Sequence, residues 1–169
     1  MVHLTRRYRI SAAHRLHNDA LSPEDNARLY GKCNNPAGHG HDYILEVTVA
    51  GEVDPRTGMV MDIGVLDRLV ERDVLDRFDH KHLNLDVENF RDLVPTTENL
   101  CLEIYRQLAP NFPVWSGKSD DEPDGTGRED STPGARLLRV RIEETPRNFF
   151  EYEGPGAANG IPAASGAEE

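Results

Sequence analysis

Hydrophobic and polar positions alternate with a period of two near the start of the chain, where Tyr8, Ile10, Ala12 and His14 share one parity. That alternation predicts a half-buried strand with these four residues on one face. A stretch rich in turn formers follows, from Asn18 through Pro36 to Gly40, and reads as a loop. Beyond it His39, His41, Tyr43, Leu45, Val47 and Val49 alternate with Asp42, Glu46 and Thr48, which predicts a longer strand ending near the Asp54-Pro55 turn. Together the two strands predict a hairpin with a large loop.

The period then changes. Ile63, Leu66, Leu69, Val70 and Phe78 recur at helical spacing, with Asp62 placed to cap the N-terminus. A second helix is expected after Pro95, capped by Thr96 or Thr97, with Glu98 at the positive end of its dipole and Leu100, Ile104 and Leu108 as its apolar stripe; it should stop by Pro110. Residues 113–135 are dominated by Asp, Gly, Ser and Pro and read as a solvated acidic insertion. Leu138, Val140, Ile142 and Glu144 then share a strand face, and the aromatic run from Phe149 to Tyr152 predicts a short partner strand. The tail, 155–169, is expected to be disordered. The order strand, strand, helix, helix, strand, strand indicates an α+β fold with an antiparallel sheet, carried by a single domain over 1–154.

Composition narrows the function. A formal charge of −11 argues against non-specific binding to nucleic acid or an anionic membrane, both of which need a basic footprint. No uncharged apolar run is long enough to span a bilayer, so a soluble cytoplasmic protein is expected. Cys33 and Cys101 are the only cysteines and are expected to be thiols, Cys101 as a small core residue.

His39 and His41, two apart on an extended segment, project from one side, and His14 can join them from the neighbouring strand. Three imidazoles on rigid strands suit Zn²⁺; the bland alternative is a polar turn at the mouth of a strand. His17 lies three residues from His14 and so points to the opposite face of an extended strand, which makes it a solvated loop residue. Cys33 admits two readings. As a ligand it would close a Cys-His₃ site; as a free thiol near the metal and Lys32 it could serve as a base beside an open coordination position. Glu144 is anomalous, because a carboxylate on an apolar strand face is costly unless it is paired or receives donors. Either the strand simply ends there, or Glu144 is a fixed acceptor for a ligand with adjacent N–H donors. In DHKHLN, Asp79 and His80 can form a dyad if the backbone is in a loop, although His82 is an equally good candidate.

Taken in order, SAAHRL, LYGKCNNPAGHGHDY, GEVDPRTGMVMD, FDHKHLN, PTTENL and VRIEETPRNFFEYEG closely resemble the 6-pyruvoyl-tetrahydropterin synthase family from about Arg7 to Gly154. The resemblance implies the tunnelling fold, a four-stranded antiparallel sheet (ββααββ) with two helices on one face, three subunits forming a barrel and two trimers stacking as a hexamer, with active sites between subunits. Carried over by motif, His14, His39 and His41 would bind one Zn²⁺ per subunit, Cys33 would be the catalytic thiol, and Asp79 and His80 the proton-relay dyad. Glu144 would anchor the pterin, and Thr96, Thr97 and Glu98 would line its pocket.

The implied enzyme is a lyase that converts 7,8-dihydroneopterin triphosphate to 6-pyruvoyl-tetrahydropterin with loss of triphosphate, in tetrahydrobiopterin biosynthesis. Mg²⁺ would accompany the triphosphate, and no external redox cofactor is needed. Asp42 and Glu143 depart from the pattern and add negative charge near the motifs; Arg15, Lys32 and Lys81 are the basic residues close to them in sequence. The nearest alternative is a 6-carboxy-tetrahydropterin synthase of the queuosine pathway, which typically has fewer than the five residues that separate Cys33 from His39 here. A non-catalytic zinc or pterin-binding module, with Cys33 closing the site, is the other.

Overall fold

The computed structural model describes residues 1–113 and 134–155. The acidic insertion expected at 113–135 and the tail expected at 155–169 lie outside the described residues except at their margins. Strand β1 (Val2–His14) pairs antiparallel with β2 (His39–Gly51), so that His14 lies opposite His39 and Ala12 opposite His41. The expected hairpin is thus present, and its register fixes which histidines meet.

Its connecting loop is more structured than the turn formers suggest. Helix α1 (Pro23–Tyr30) forms there, with the Ser22 side chain accepting from the Asp25 N–H, Pro23 opening the helix, and Glu24 and Asp25 in the first turn. The capping signal was in the sequence. It lacked an apolar stripe, and hydrophobic periodicity therefore missed it. A short 3₁₀ turn, Gly31–Asn34, carries Cys33.

The expected first helix appears as α2 (Ile63–Val70), a π segment Glu71–Leu75, and α3 (Asp76–Phe78), with Asp62 capping through Gly64 N–H at 2.7 Å. From Phe78 the chain runs to a two-residue strand β3 (Lys81–His82) and the short helix α4 (Leu83–Asp86). Helix α5 (Thr97–Leu108) is capped by Thr96, and β4 (Arg136–Thr145) and β5 (Asn148–Tyr152) complete the fold. One buried cluster joins Ile10, Leu45, Val47 and Ile142 of the sheet to Leu66, Val74 and Phe78 of the first helical segment and Leu100, Ile104 and Leu108 of α5. Burying that single apolar face is what orders the layers.

Two expectations need correction. The sheet is five-stranded and mixed, in the order β3-β1-β2-β4-β5, not four-stranded and antiparallel: β3 runs parallel to β1, pairing Lys81 with Ala12 and His82 with Ala13. It satisfies part of the otherwise unpaired edge of β1, and a pair of residues is too short to leave an alternating pattern. In β4, an irregularity between Thr48 and Val49 of the partner strand sets Arg139 opposite Thr48 and Leu137 opposite Val49. Leu138 is the extra residue, so Leu137 enters the core while Leu138 is only half-buried.

Candidate active site

The inward parity of β1 and β2 brings His14, His39 and His41 together at the end of the sheet, with ring centroids 4.6 to 5.2 Å apart. One nitrogen from each lies within 4.8 Å of the others, so the three can hold a metal ion; neither Cys33 nor Glu144 belongs to that group. His14 is buried, and its Nδ1–H donates to the Pro95 carbonyl at 2.8 Å. Because a carbonyl can only accept, that contact fixes the tautomer and leaves the Nε2 lone pair facing His39 Nε2 at 3.1 Å. Two ligands of a tetrahedral ion at 2.0–2.1 Å stand about 3.3–3.4 Å apart, so this spacing suits Zn²⁺. Among the described residues, buried His41 Nε2 has no hydrogen-bond partner, which also fits a ligand nitrogen. Burial pushes His14 down to about 4, and burial and then His41 also lower His39. Both imidazoles are therefore held neutral, the form that binds a cation.

Glu144 stands beside this group, its Oε1 3.7 Å from His41 Nε2. Between β4 and β5 the pairing skips it: Glu143 faces Phe149, and Thr145 faces Asn148. A bulge re-aims a side chain, and here the carboxylate receives the Thr97 hydroxyl on Oε1 at 2.6 Å and the Asn148 amide on Oε2 at 2.7 Å. Burial alone would raise its pKa, but the Thr97 and Asn148 donors and the neighbouring His41 and His14 outweigh it, and the net shift is downward.

Cys33 is half-buried and free, on a turn tied to the end of β1 by Leu16 N–H donating to the Cys33 carbonyl at 2.9 Å. It lies within electrostatic reach of the Tyr43 hydroxyl, whose pKa is raised by burial first and also by Glu144 and Cys33. Among the described residues that buried hydroxyl has no partner within hydrogen-bond geometry, although the nearby Thr97 hydroxyl partly offsets the rise, and its ring is 5.4 Å from His41. Tyr43 and Asn148 are the side chains of this region that sequence reading missed. Tyr43 reads as ordinary core on an alternating strand, and nothing in the residue pattern singles out Asn148.

Of the TTE triplet, Thr97 alone reaches Glu144; Thr96 caps α5 by accepting from Asn99 N–H at 3.3 Å, and Glu98 is exposed. His17 is half-buried in the loop against Asn34, 2.9 Å away, and takes no part in the histidine group. Asp42 and Glu143 point to the other sheet face, where Asp42 accepts from the Ser11 hydroxyl at 2.6 Å and Glu143 lies 4.0 Å from Arg141. Neither places its charge among the three imidazoles. Lys32 and Lys81 are exposed, and Arg15 donates to the Asn34 carbonyl at 3.1 Å.

Asp79 and His80 do form a dyad, with His80 Nδ1 2.8 Å from Asp79 Oδ2. Both are fastened to the edge of β1 away from β2: Ser11 N–H donates to Asp79 Oδ1, and His80 N–H donates to the Ser11 carbonyl, each at 2.7 Å. Burial pushes Asp79 up, but the Ser11 N–H and the His80 ring bring it below its ordinary value. His80 adopts φ 55° and lies mostly in solvent, where it lines an open cleft of about 490 Å³ together with Ser11, Gly40, His41, Asp42 and Lys81. Among the described residues, no hydrogen bond, ion pair or ring contact joins the dyad to the three histidines.

The family model of 6-pyruvoyl tetrahydropterin synthase matches residues 3–155. The chain belongs to the 6-pyruvoyl tetrahydropterin synthase family. It is 41% identical over 158 residues to the 6-pyruvoyl tetrahydrobiopterin synthase of Drosophila melanogaster, covering 94% of this chain and 83% of that one. The human 6-pyruvoyl tetrahydrobiopterin synthase is 40% identical over 151 residues, covering 89% and 90%. The solved 6-pyruvoyl tetrahydropterin synthase of Caenorhabditis elegans superposes with a TM-score of 0.75 at 38% identity, covering 91% of this chain and 96% of that one. Membership in the 6-pyruvoyl tetrahydropterin synthase family agrees with the motif order read from the sequence. Among the described residues no helix is long and apolar enough to cross a membrane.

Proposed function

We propose that residues 1–154 act as one catalytic unit that converts 7,8-dihydroneopterin triphosphate to 6-pyruvoyl-tetrahydropterin, releasing triphosphate, as a zinc-dependent lyase of tetrahydrobiopterin biosynthesis. The observation that carries this is the convergence of three imidazoles and a donor-held carboxylate at one end of the sheet, in a chain of this family. His14, His39 and His41 would hold the Zn²⁺. When bound, it supplies Lewis acidity that makes the substrate's side-chain hydroxyls and the attached C–H bonds more acidic.

The rest falls to the chain itself. Glu144 accepts the two N–H donors of the aminopyrimidinone edge and fixes the ring's register, with Thr97 holding the carboxylate from below. Cys33 acts as the base that removes a proton from the side-chain carbon. Asp79 holds His80 through Nδ1, leaving Nε2 to take up and return protons. The electron balance closes within the substrate: oxidation of a hydroxyl carbon to a carbonyl reduces the ring C=N bond. Loss of triphosphate leaves an enol, which becomes the second carbonyl and the terminal methyl.

The lack of any direct contact between the dyad and the three histidines among the described residues, although His41 and His80 line one open cleft, supports a site completed by an adjoining copy, in a homo-oligomer of the dimer-of-trimers type. Cys33→Ala tests the assignment. It should keep zinc and oligomeric state while turnover collapses; a variant that loses zinc and stability together would instead mean that Cys33 closes a structural site. Product analysis with the same substrate separates the branches, since mainly 6-carboxy-tetrahydropterin would assign the chain to the carboxy alternative.

A further inference from the structure

We propose that Asn148 is the positioning residue that sets Glu144 for recognition of a ligand's amino group, an inference that rests on the pterin reading above. Glu144 is held at both oxygens, by Thr97 on Oε1 and Asn148 on Oε2. Asn148 can face it in only one productive way. The Thr145 hydroxyl accepts from Arg147 N–H at 3.3 Å and donates to Asn148 Oδ1, so the amide carbonyl is turned toward Thr145 and the NH₂ toward the carboxylate. The flipped amide would set one carbonyl oxygen against an anion. The orientation is built into the hairpin itself, because Thr145 and Asn148 are paired across the β4–β5 turn.

A carboxylate oxygen has two lone pairs. One on each oxygen of Glu144 is taken by a side-chain donor, which leaves one on each for a ligand that presents two parallel N–H groups. An amino group beside a ring N–H meets that demand; a ring that lacks the amino group leaves one lone pair unmatched. Without Asn148, Glu144 keeps its Thr97 contact but can rotate about it, and the pairing loses its plane.

The test is equilibrium binding to the zinc-loaded full chain of two probes, 2-amino-4-hydroxypteridine and 4-hydroxypteridine, alongside zinc content and steady-state kinetics. The wild-type protein should prefer the amino compound. In Asn148→Ala that preference should fall about tenfold, the equivalent of one charged hydrogen bond, with zinc content unchanged and KM raised while kcat stays within about twofold. Asn148→Asp, nearly isosteric and without the donor, should lose at least as much. Thr145→Val, which frees the amide to flip, should fall between. A wild-type protein that shows no preference overturns the pterin reading and this inference with it. A wild-type preference kept intact in folded, zinc-replete Asn148→Ala or Asn148→Asp overturns the inference alone. Loss of fold or zinc in both variants also overturns it, since Asn148 would then be holding the structure rather than the carboxylate.

Discussion

His14, His39 and His41 sit on the inward face of two paired strands, whereas Asp79 and His80 hang from the outer edge of β1 by contacts to a single backbone unit, Ser11. The first group is positioned by strand register and needs no partner outside the chain to converge. The second is positioned by main-chain hydrogen bonds and by a residue in the left-handed region, a conformation that costs about 1–3 kcal/mol outside glycine and persists only where the surroundings fix it. Sites built on regular strands are rigid within their own fold. Groups hung on an edge are available to something that docks there.

The largest effect should come from the inward group. On the proposed assignment His39→Ala would remove a zinc ligand, and zinc affinity should fall by more than about 100-fold with turnover lost, as measured by chelator competition and product formation. His80→Asn should lower kcat by about 10²–10⁴ while zinc content and melting temperature stay as in the wild type. If zinc falls as well, the two regions are one structural unit and the contrast between them breaks. Mixing inactive Cys33→Ala and His80→Asn proteins under conditions that let subunits exchange should restore part of the activity; no recovery would count against a site shared between copies.

Gly38→Ala probes the seam between the regions. Gly38 has φ +72°, and a methyl there would lie 2.7 Å from His82 Nε2 and 3.0 Å from the His14 carbonyl. The expected cost is about 1–3 kcal/mol in a denaturant melt, with zinc affinity reduced because His39 is the next residue. The smallest effect belongs to Asp67→Asn, on α2, where the carboxylate meets Arg6 and Tyr8 of β1. The Arg6 guanidinium, and after it the Tyr8 hydroxyl, outweigh burial and hold Asp67 below its ordinary value of 3.8. A depressed carboxylate contributes stability above that value and loses it as pH falls through the folded pKa. The variant should therefore lack that part of the acid limb below about pH 3.8, with zinc content and turnover at neutral pH unaffected.

Much of the site was legible because strand parity is local. Alternation alone set His39 and His41 on one face with Tyr43, and the caps at Asp62 and Thr96 marked both long helices. What was missed has physical causes. Helix α1 is written in caps and charge, not in an apolar stripe. Strand β3 is too short to show a period. The bulges at Leu138 and Glu144 each add a residue that breaks parity, and no run of residue types announces where a partner strand will skip one.

The α+β order, the inward parity of the histidines and the motifs that mark the family are written in residues close together along the chain, and local pattern is enough to read them. That Asn148 and Thr97 hold Glu144, that Asp42 and Glu143 face away from the histidines, and that Asp79 and His80 hang from the outer edge of β1 emerge only once the chain is folded. Thr97 and Glu144 are 47 residues apart and Ser11 and Asp79 are 68 apart, so register and packing alone bring them into reach; Asn148 is only four residues from Glu144, but the bulge that turns the carboxylate toward it depends on the pairing of β4 with β5.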